Sequence, residues 1–171
     1  ASKTFDNGTI CASEQSIVTE KEIADKVEAE LKNQGGYFLT DQQSEQLSSF
    51  LLRANGTMNP KVVGKTAENI AAMAGITIPY GTKLLISRQY AANVNKKNPY
   101  SREKLCPIIA FYVVDGWEEA CDLSIRILKN EGAGHTMTLH TQNKDVVREF
   151  ALKKPVSRIL VNTPGALGGV G

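Results

Sequence analysis

Two residues of this 171-residue chain stand where their types and surroundings could do chemistry: Cys11 and His135. Cys11 follows the pair Asn7-Gly8 and precedes the apolar run Ile17-Val18. A thiol at such a turn-to-strand junction can face a cleft with its backbone N–H pointing the same way. That combination supplies a nucleophile and an oxyanion donor, the two parts an acyl-transfer site needs. No Lys or Arg adjoins Cys11, so its activation has to come from a backbone dipole or a distant residue. His135 follows Gly132-Ala133-Gly134, a backbone able to turn sharply, and an imidazole can accept a proton near neutral pH. Each residue also has a plainer reading. A cysteine alone is commonly a small buried hydrophobe, and a histidine in a strand row with Met137 and Leu139 is commonly a hydrogen-bonded structural group. His140 falls on the opposite face, solvent-facing or structural. Cys106, beside Pro107, and Cys121, on the inner side of a helix pattern, read as packing residues.

The elements that must position these groups follow from periodicity and punctuation. Ile17-Val18-Thr19 reads as a short strand. Residues 21–33 carry Ile23, Ala24, Val27 and Leu31 at helical spacing, stopped by Gly35-Gly36. Residues 41–53 form a second helix pattern, with Asp41 as its N-cap and Leu47, Phe50 and Leu51 inward. Residues 65–73 form a third, ended by Gly75. Strands are expected over 83–86 and 107–114, with the polar stretch 87–102 between them as a surface loop. Asp115 is placed to cap a helix over 116–129, with the stripe Trp117, Ala120, Cys121, Ser124 and Leu128. A strand over 136–141, a helix over 144–153 and a strand over 158–161 complete the pattern. Gly168-Gly169-Val170-Gly171 reads as loop. Strands alternating with helices of this length imply an α/β fold: a largely parallel sheet covered by helices in three αβα layers.

Composition narrows the function classes. Hydrophobic residues make up 42% and charged residues 22%, the balance of a globular chain rather than a disordered one. The net charge is only +2, with no basic block, so nucleic acid is not an expected partner. No apolar run reaches membrane-spanning length and no secretory signal pattern is present. Three widely spaced cysteines without a CxxC pair argue against a disulfide framework and a zinc site. A reducing compartment, the cytoplasm, suits a working thiol.

Four stretches carry a resemblance. They are the segment from Lys3 to Ser16, then Arg102-Glu103-Lys104-Leu105-Cys106-Pro107, then Glu131-Gly132-Ala133-Gly134-His135-Thr136, and last Arg158-Ile159-Leu160-Val161-Asn162-Thr163-Pro164 with Gly168-Gly169. Together, and in this order, they resemble the catalytic domain of the CoA-acylating aldehyde dehydrogenases. Hydrolytic aldehyde dehydrogenases have Gly-Gln ahead of the cysteine with one residue between. Here Gly8-Thr9-Ile10 takes that place, as in the CoA-acylating branch.

The resemblance implies a role for each residue. Cys11 attacks a short-chain aldehyde to form a thiohemiacetal, which passes a hydride to NAD and becomes a thioester that coenzyme A then takes. The positive nicotinamide ring would help activate the thiol. His135 takes the proton of the incoming CoA thiol. Glu103, four residues before Pro107, accepts hydrogen bonds from the nicotinamide ribose hydroxyls, a task suited to an acceptor-only carboxylate. Leu105 stands where hydrolytic members carry an aromatic against the cofactor. Asn162-Thr163-Pro164 either lines the acyl pocket or forms a turn, and Lys96-Lys97 either meets CoA phosphates or is solvated. No GxGxxG follows a strand. The resemblance therefore implies that residues 1–171 are the nucleophile-bearing domain alone, with the NAD-binding domain ahead of Ala1, a return segment beyond Gly171, and no activity in the isolated piece. It further implies a homo-oligomer through the full-length parent, in the cytoplasm or inside a bacterial microcompartment. Two other readings stay open: the aldehyde half of a bifunctional aldehyde–alcohol dehydrogenase, and a non-catalytic α/β assembly module.

Overall fold

In the computed structural model, which describes residues 1–170, the elements run β1 (Ser16–Glu20), α1 (Lys21–Asn33), β2 (Gly36–Phe38), α2 (Asp41–Leu51), α3 (Ala67–Met73), β3 (Leu84–Arg88), β4 (Ile108–Val114), α4 (Trp117–Asn130), β5 (Thr136–Leu139), α5 (Lys144–Lys153), β6 (Arg158–Val161) and α6 (Gly165–Val170). Every strand pairing between these elements is parallel, as expected, but the strands divide into two sheets. One has the order β1-β4-β3-β2 and the other is the pair β5-β6.

β4 explains the layering. Its sequence Ile-Ile-Ala-Phe-Tyr-Val-Val is apolar on both faces, the pattern of a central strand covered on each side. Ile108, Ala110, Tyr112 and Val114 pack with Leu47 and Leu51 of α2, Ile70 and Ala71 of α3 and Leu123 of α4. Ile109 and Phe111 face the other way, with Leu84 and Ile86 of β3 and Val27 and Leu31 of α1. Helices therefore cover both faces and give the three αβα layers. A smaller cluster of Cys121, Val146 and Phe150, with Met137 and Leu139, seats β5 under α4 and α5.

Several local expectations are corrected. Thr40, not Asp41, caps α2: its side chain accepts from Gln43 N–H at 3.2 Å, and Gln43 Oε1 accepts from Thr40 N–H at 3.0 Å. This reciprocal pair satisfies two orphan donors at once, which a cap at Asp41 would not. α3 starts two residues later than the pattern suggested, because Thr66 caps it through Asn69 N–H. Asp115 is not a cap either. Gly116 holds that position, and Asp115 N–H donates to Glu119 Oε2 at 2.9 Å. The stretch 87–102 is only partly surface loop: Ser87 and Arg88 finish β3, and Pro99, Tyr100 and Ser101 are buried. Of the run 168–171 expected as loop, residues 168–170 belong to the helix α6, and Gly171 lies outside the described residues. No helix of the described residues is long and apolar enough to cross a membrane.

Candidate active site

The topology decides where the motif loops meet. β1 and β4 are adjacent and parallel, with Ser16 beside Ala110, so the segments that precede them start from the same sheet edge. One segment carries Cys11 and the other carries Glu103 and Leu105. β5 and β6 pair with Thr136 beside Arg158, which brings together the segments that precede them, with His135 in one and Ser157 in the other. All these groups therefore gather at the amino-terminal edges of the strands. Ligands in open α/β sheets usually sit beyond the carboxyl ends. Asn162, at the carboxyl end of β6, does not line the cavity. Its side chain donates to Thr141 O at 3.0 Å and accepts from Thr141 N–H at 3.0 Å, which ties together the segments that follow β5 and β6.

The nucleophile loop is built from an unusual backbone. Asp6, Asn7 and Gly8 have φ of +46°, +50° and +76°, three left-handed residues in succession. A Cβ at Gly8 would lie 2.7 Å from Cys106 O, so the loop sits directly on the segment ahead of β4. Asn7 Nδ2 donates to Gly64 O, and Gly64 N–H donates to Leu105 O, both at 3.0 Å, which locks the same contact from a third segment. Ser13 N–H donates to Ile10 O at 3.0 Å, and this turn leaves Cys11 exposed.

The Glu103 segment is tied to the His135 loop as well. Arg102 Nε donates to Glu131 Oε2 at 2.8 Å, and Glu103 N–H donates to the same oxygen at 3.3 Å. Burial pushes the Glu131 carboxyl up, but the Arg102 hydrogen bond and charge, with the Glu103 N–H, outweigh it and hold the group below its ordinary value. Glu131 opens the turn in which Gly132 and Gly134 take φ of +130° and +82°. That turn lifts His135 out of the apolar row of Met137 and Leu139 and leaves it exposed. Its carbonyl accepts from Ser157 and Arg158 N–H at 3.1 and 3.3 Å, while its imidazole has no partner among the described residues.

Cys11 and His135 line one cavity of about 200 Å³, together with Ala12, Thr136, Ser157 and Arg158. Glu103 and Leu105 do not line it. Glu103 is exposed, and its carboxylate makes no hydrogen bond or ion pair among the described residues; Leu105 is half-buried. Ser157 and Arg158 carry no local signal of a role, because their nearness to Cys11 comes from the β5–β6 register. A larger polar recess of about 390 Å³ lies among Ser44, Gln89, Asn95, Lys97 and Tyr100, far in character from the thiol site. Cys106 and Cys121 are buried, and Cys121 Sγ accepts from Lys154 Nζ at 2.8 Å. No group of three or more His, Cys, Asp or Glu able to hold a metal occurs among the described residues.

The C-terminal helix α6 buttresses the loop. Gly165 N–H donates to Glu14 Oε1 at 2.8 Å and Ala166 N–H donates to Ser2 Oγ at 3.1 Å. A Cβ on Gly165 or Gly169 would lie 2.5 or 2.7 Å from Ala12 atoms, so glycine permits the close packing. This contact explains why a glycine-rich run is ordered into a helix.

Fold and site thus define an α/β domain in which a thiol ahead of one sheet and an imidazole ahead of the other line a single cavity. Comparison with known proteins makes this specific. A crystal structure of a probable aldehyde dehydrogenase from Listeria monocytogenes EGD-e matches with a TM-score of 0.96 and 58% identity, over 99% of this chain and 37% of that one. An acetylating aldehyde dehydrogenase from Geobacillus thermoglucosidasius matches with a TM-score of 0.94 and 46% identity over the same shares. The bifunctional aldehyde-alcohol dehydrogenase AdhE of Escherichia coli K12 is 38% identical over 99% of this chain and 19% of its own length. A propionaldehyde dehydrogenase of Rhodopseudomonas palustris, 26% identical with a TM-score of 0.84 over 99% of this chain and 38% of that one, was solved with bound CoA and an acylated cysteine. No family model matches. Over almost its whole length the chain is similar to part of the CoA-acylating aldehyde dehydrogenases, and it spans about a fifth to two fifths of the length of these relatives.

Proposed function

We propose that this chain is the nucleophile-bearing domain of an enzyme that oxidises a short-chain aldehyde to its acyl-CoA, with NAD as electron acceptor. The observation that carries this reading is the shared cavity of Cys11 and His135, an exposed thiol and an imidazole free of partners among the described residues. Cys11 Sγ adds to the aldehyde carbon and forms a thiohemiacetal. NAD, when bound, would supply the acceptor for the hydride that leaves this carbon. The product on Cys11 is a thioester. His135 takes the proton of the CoA thiol, whose own pKa lies well above neutral. The CoA sulfur then displaces Cys11, which leaves as thiolate. Aldehyde, CoA and NAD are consumed, and acyl-CoA, NADH and a proton are released.

Glu103 fits the dinucleotide. Its carboxylate is exposed, unpaired among the described residues and on the same sheet edge as Cys11, as an acceptor for two ribose hydroxyls requires. Leu105 follows it on the same segment and would give the apolar contact. Most of the dinucleotide would be held by protein outside these 171 residues, since no phosphate-binding glycine loop follows any strand here. A reducing compartment and a homo-oligomer of the full-length protein complete the reading.

The test is a coupled assay on the full-length protein with acetaldehyde, propionaldehyde and butyraldehyde, with and without CoA. NADH formation that requires CoA, with acyl-CoA as product, is expected. CoA-independent release of the free acid would overturn the reading. The similarity to the bifunctional enzyme favours one addition, the aldehyde half of such a protein. NADH-dependent reduction of the same aldehydes to alcohols by the full chain would establish it.

A further inference from the structure

Lys3 and Lys104 are buried, at 3% and 0% exposure, and neither has a carboxylate partner among the described residues. A buried amine without a counter-ion is tolerated only where its donors are used. Lys3 Nζ donates to Ser13 Oγ at 3.5 Å, to Gln15 Oε1 at 3.0 Å and to the Lys104 carbonyl. Lys104 Nζ donates to the carbonyls of Tyr100 and Arg102 at 2.8 and 2.6 Å. The Lys104 N–H donates to Gln15 Oε1, the oxygen that Lys3 also uses, at 2.8 Å. Gln15 turns its oxygen to both donors and leaves Nε2 buried without a partner, an arrangement that lowers stability.

We propose that Lys3 is a positioning residue for the thiol. It closes residues 3–13 into a loop around Cys11 and pins that loop to the turn 100–104, which carries Glu103. Gln15 and Lys104 complete the clasp. Cys11 lies inside the closed loop and Glu103 adjoins Lys104 in the chain, so one amine sets the place of both groups. The inference rests on the proposed roles of Cys11 as nucleophile and Glu103 as dinucleotide acceptor.

The variants are Lys3→Met and Gln15→Leu in the full-length protein, with Gln15→Glu as the conservative change that keeps the shared oxygen. Three quantities are read: the iodoacetamide labelling rate of Cys11, hydrogen exchange of peptides covering 4–13 and 100–106, and KM for NAD against KM for CoA. Lys3→Met and Gln15→Leu are expected to slow Cys11 labelling by about fivefold, the equivalent of roughly 1 kcal/mol in a barrier. Both should also speed exchange in both peptides and raise KM for NAD but not for CoA, while Gln15→Glu behaves as wild type. A role in stability alone lowers the melting temperature and leaves labelling and KM for NAD unchanged; that outcome overturns the proposal. Wild-type Cys11 that labels no faster than Cys106 and Cys121 would defeat the proposed function instead. In that case the exchange data still decide: a joint rise in both peptides supports the clasp, and unchanged exchange overturns it.

Discussion

Replacing Lys104 by Met should flatten the pH dependence of stability, and the structure gives the size of the effect. Burial first, then the nearby charge of Lys3, pull the Lys104 amine from 10.5 down to about 7. Burial pulls Lys3 to about 8, against the raising influence of Cys106, Glu103 and Glu14. Below pH 7 both amines are protonated in the folded and the unfolded chain, and the folded state carries the whole penalty of the buried charges. As pH rises through 7 the folded state releases the Lys104 proton, while the unfolded chain keeps it until 10.5. The unfolded state then binds more protons, so stability climbs with pH. Over the two pH units from 7 to 9, Lys104, already half titrated at pH 7, contributes about 2 kcal/mol at about 1.36 kcal/mol per unit of full titration, and Lys3 adds roughly 1 from pH 8 to 9. Above pH 9 the sign mixes, because burial pushes the Cys106 thiol from 9.0 up to about 11 and its ionisation favours the unfolded chain. The clean window is therefore pH 7 to 9. Thermal unfolding of the full-length protein should show a wild-type melting temperature that rises across it by on the order of a few degrees, and a Lys104→Met variant that rises by only a small part of that. A wild-type curve that is flat from pH 7 to 9, or a variant that climbs as steeply, refutes the reasoning.

Cys11→Ser should lower CoA-dependent NADH formation by about a thousandfold or more, because a hydroxyl replaces the proposed thiol nucleophile; residual activity near wild type would exclude Cys11. His135→Gln should slow acyl transfer to CoA by about 10²- to 10⁴-fold, while the first-turnover burst of NADH survives in rapid-mixing experiments; loss of the burst would assign His135 to the hydride half-reaction. Gly165→Ala would bring its Cβ to 2.5 Å from Ala12 O. It should destabilise the protein by roughly 1–3 kcal/mol and change Cys11 labelling, measured by denaturation and mass spectrometry, and unaltered values would mean that α6 does not support the loop.

The elements most legible in the sequence were those whose ends are marked locally. α1, α5 and β6 fall on the residues expected, because helical or strand spacing ends at a breaker in each case. The α2 cap was missed although Thr40 and Gln43 carry the capping-box spacing, since Asp41 is the more familiar cap type and lies one residue on. Other features have no local signal. That Lys3 and Lys104 would be buried depends on carbonyls and an amide that reach them only after folding. Likewise the helix at 165–170 exists because Glu14, Ser2 and Ala12 lie against it, whereas its own composition favours a loop.

The same contrast accounts for how the site is made. Cys11, Glu103 and His135 are separated by about ninety and thirty residues, and none lies within a regular element. Each lies ahead of a strand, and parallel pairing within the two sheets fixes where those strands begin. Position beyond that is supplied by polar ties between the loops: Lys3 and Gln15 to Lys104, Asn7 to Gly64, and Arg102 with Glu103 to Glu131. These ties join groups whose placement opposes stability. Lys3 and Lys104 are buried without a carboxylate partner among the described residues, and Asp6 and Asn7 hold the left-handed region where side chains are strained. Strain concentrated on one loop, around one exposed thiol, is the pattern expected where the fold gives up stability to hold a reacting group in place. An apolar replacement of the clasp could then yield a more stable protein with a slower Cys11, and that outcome would separate placement from stability directly.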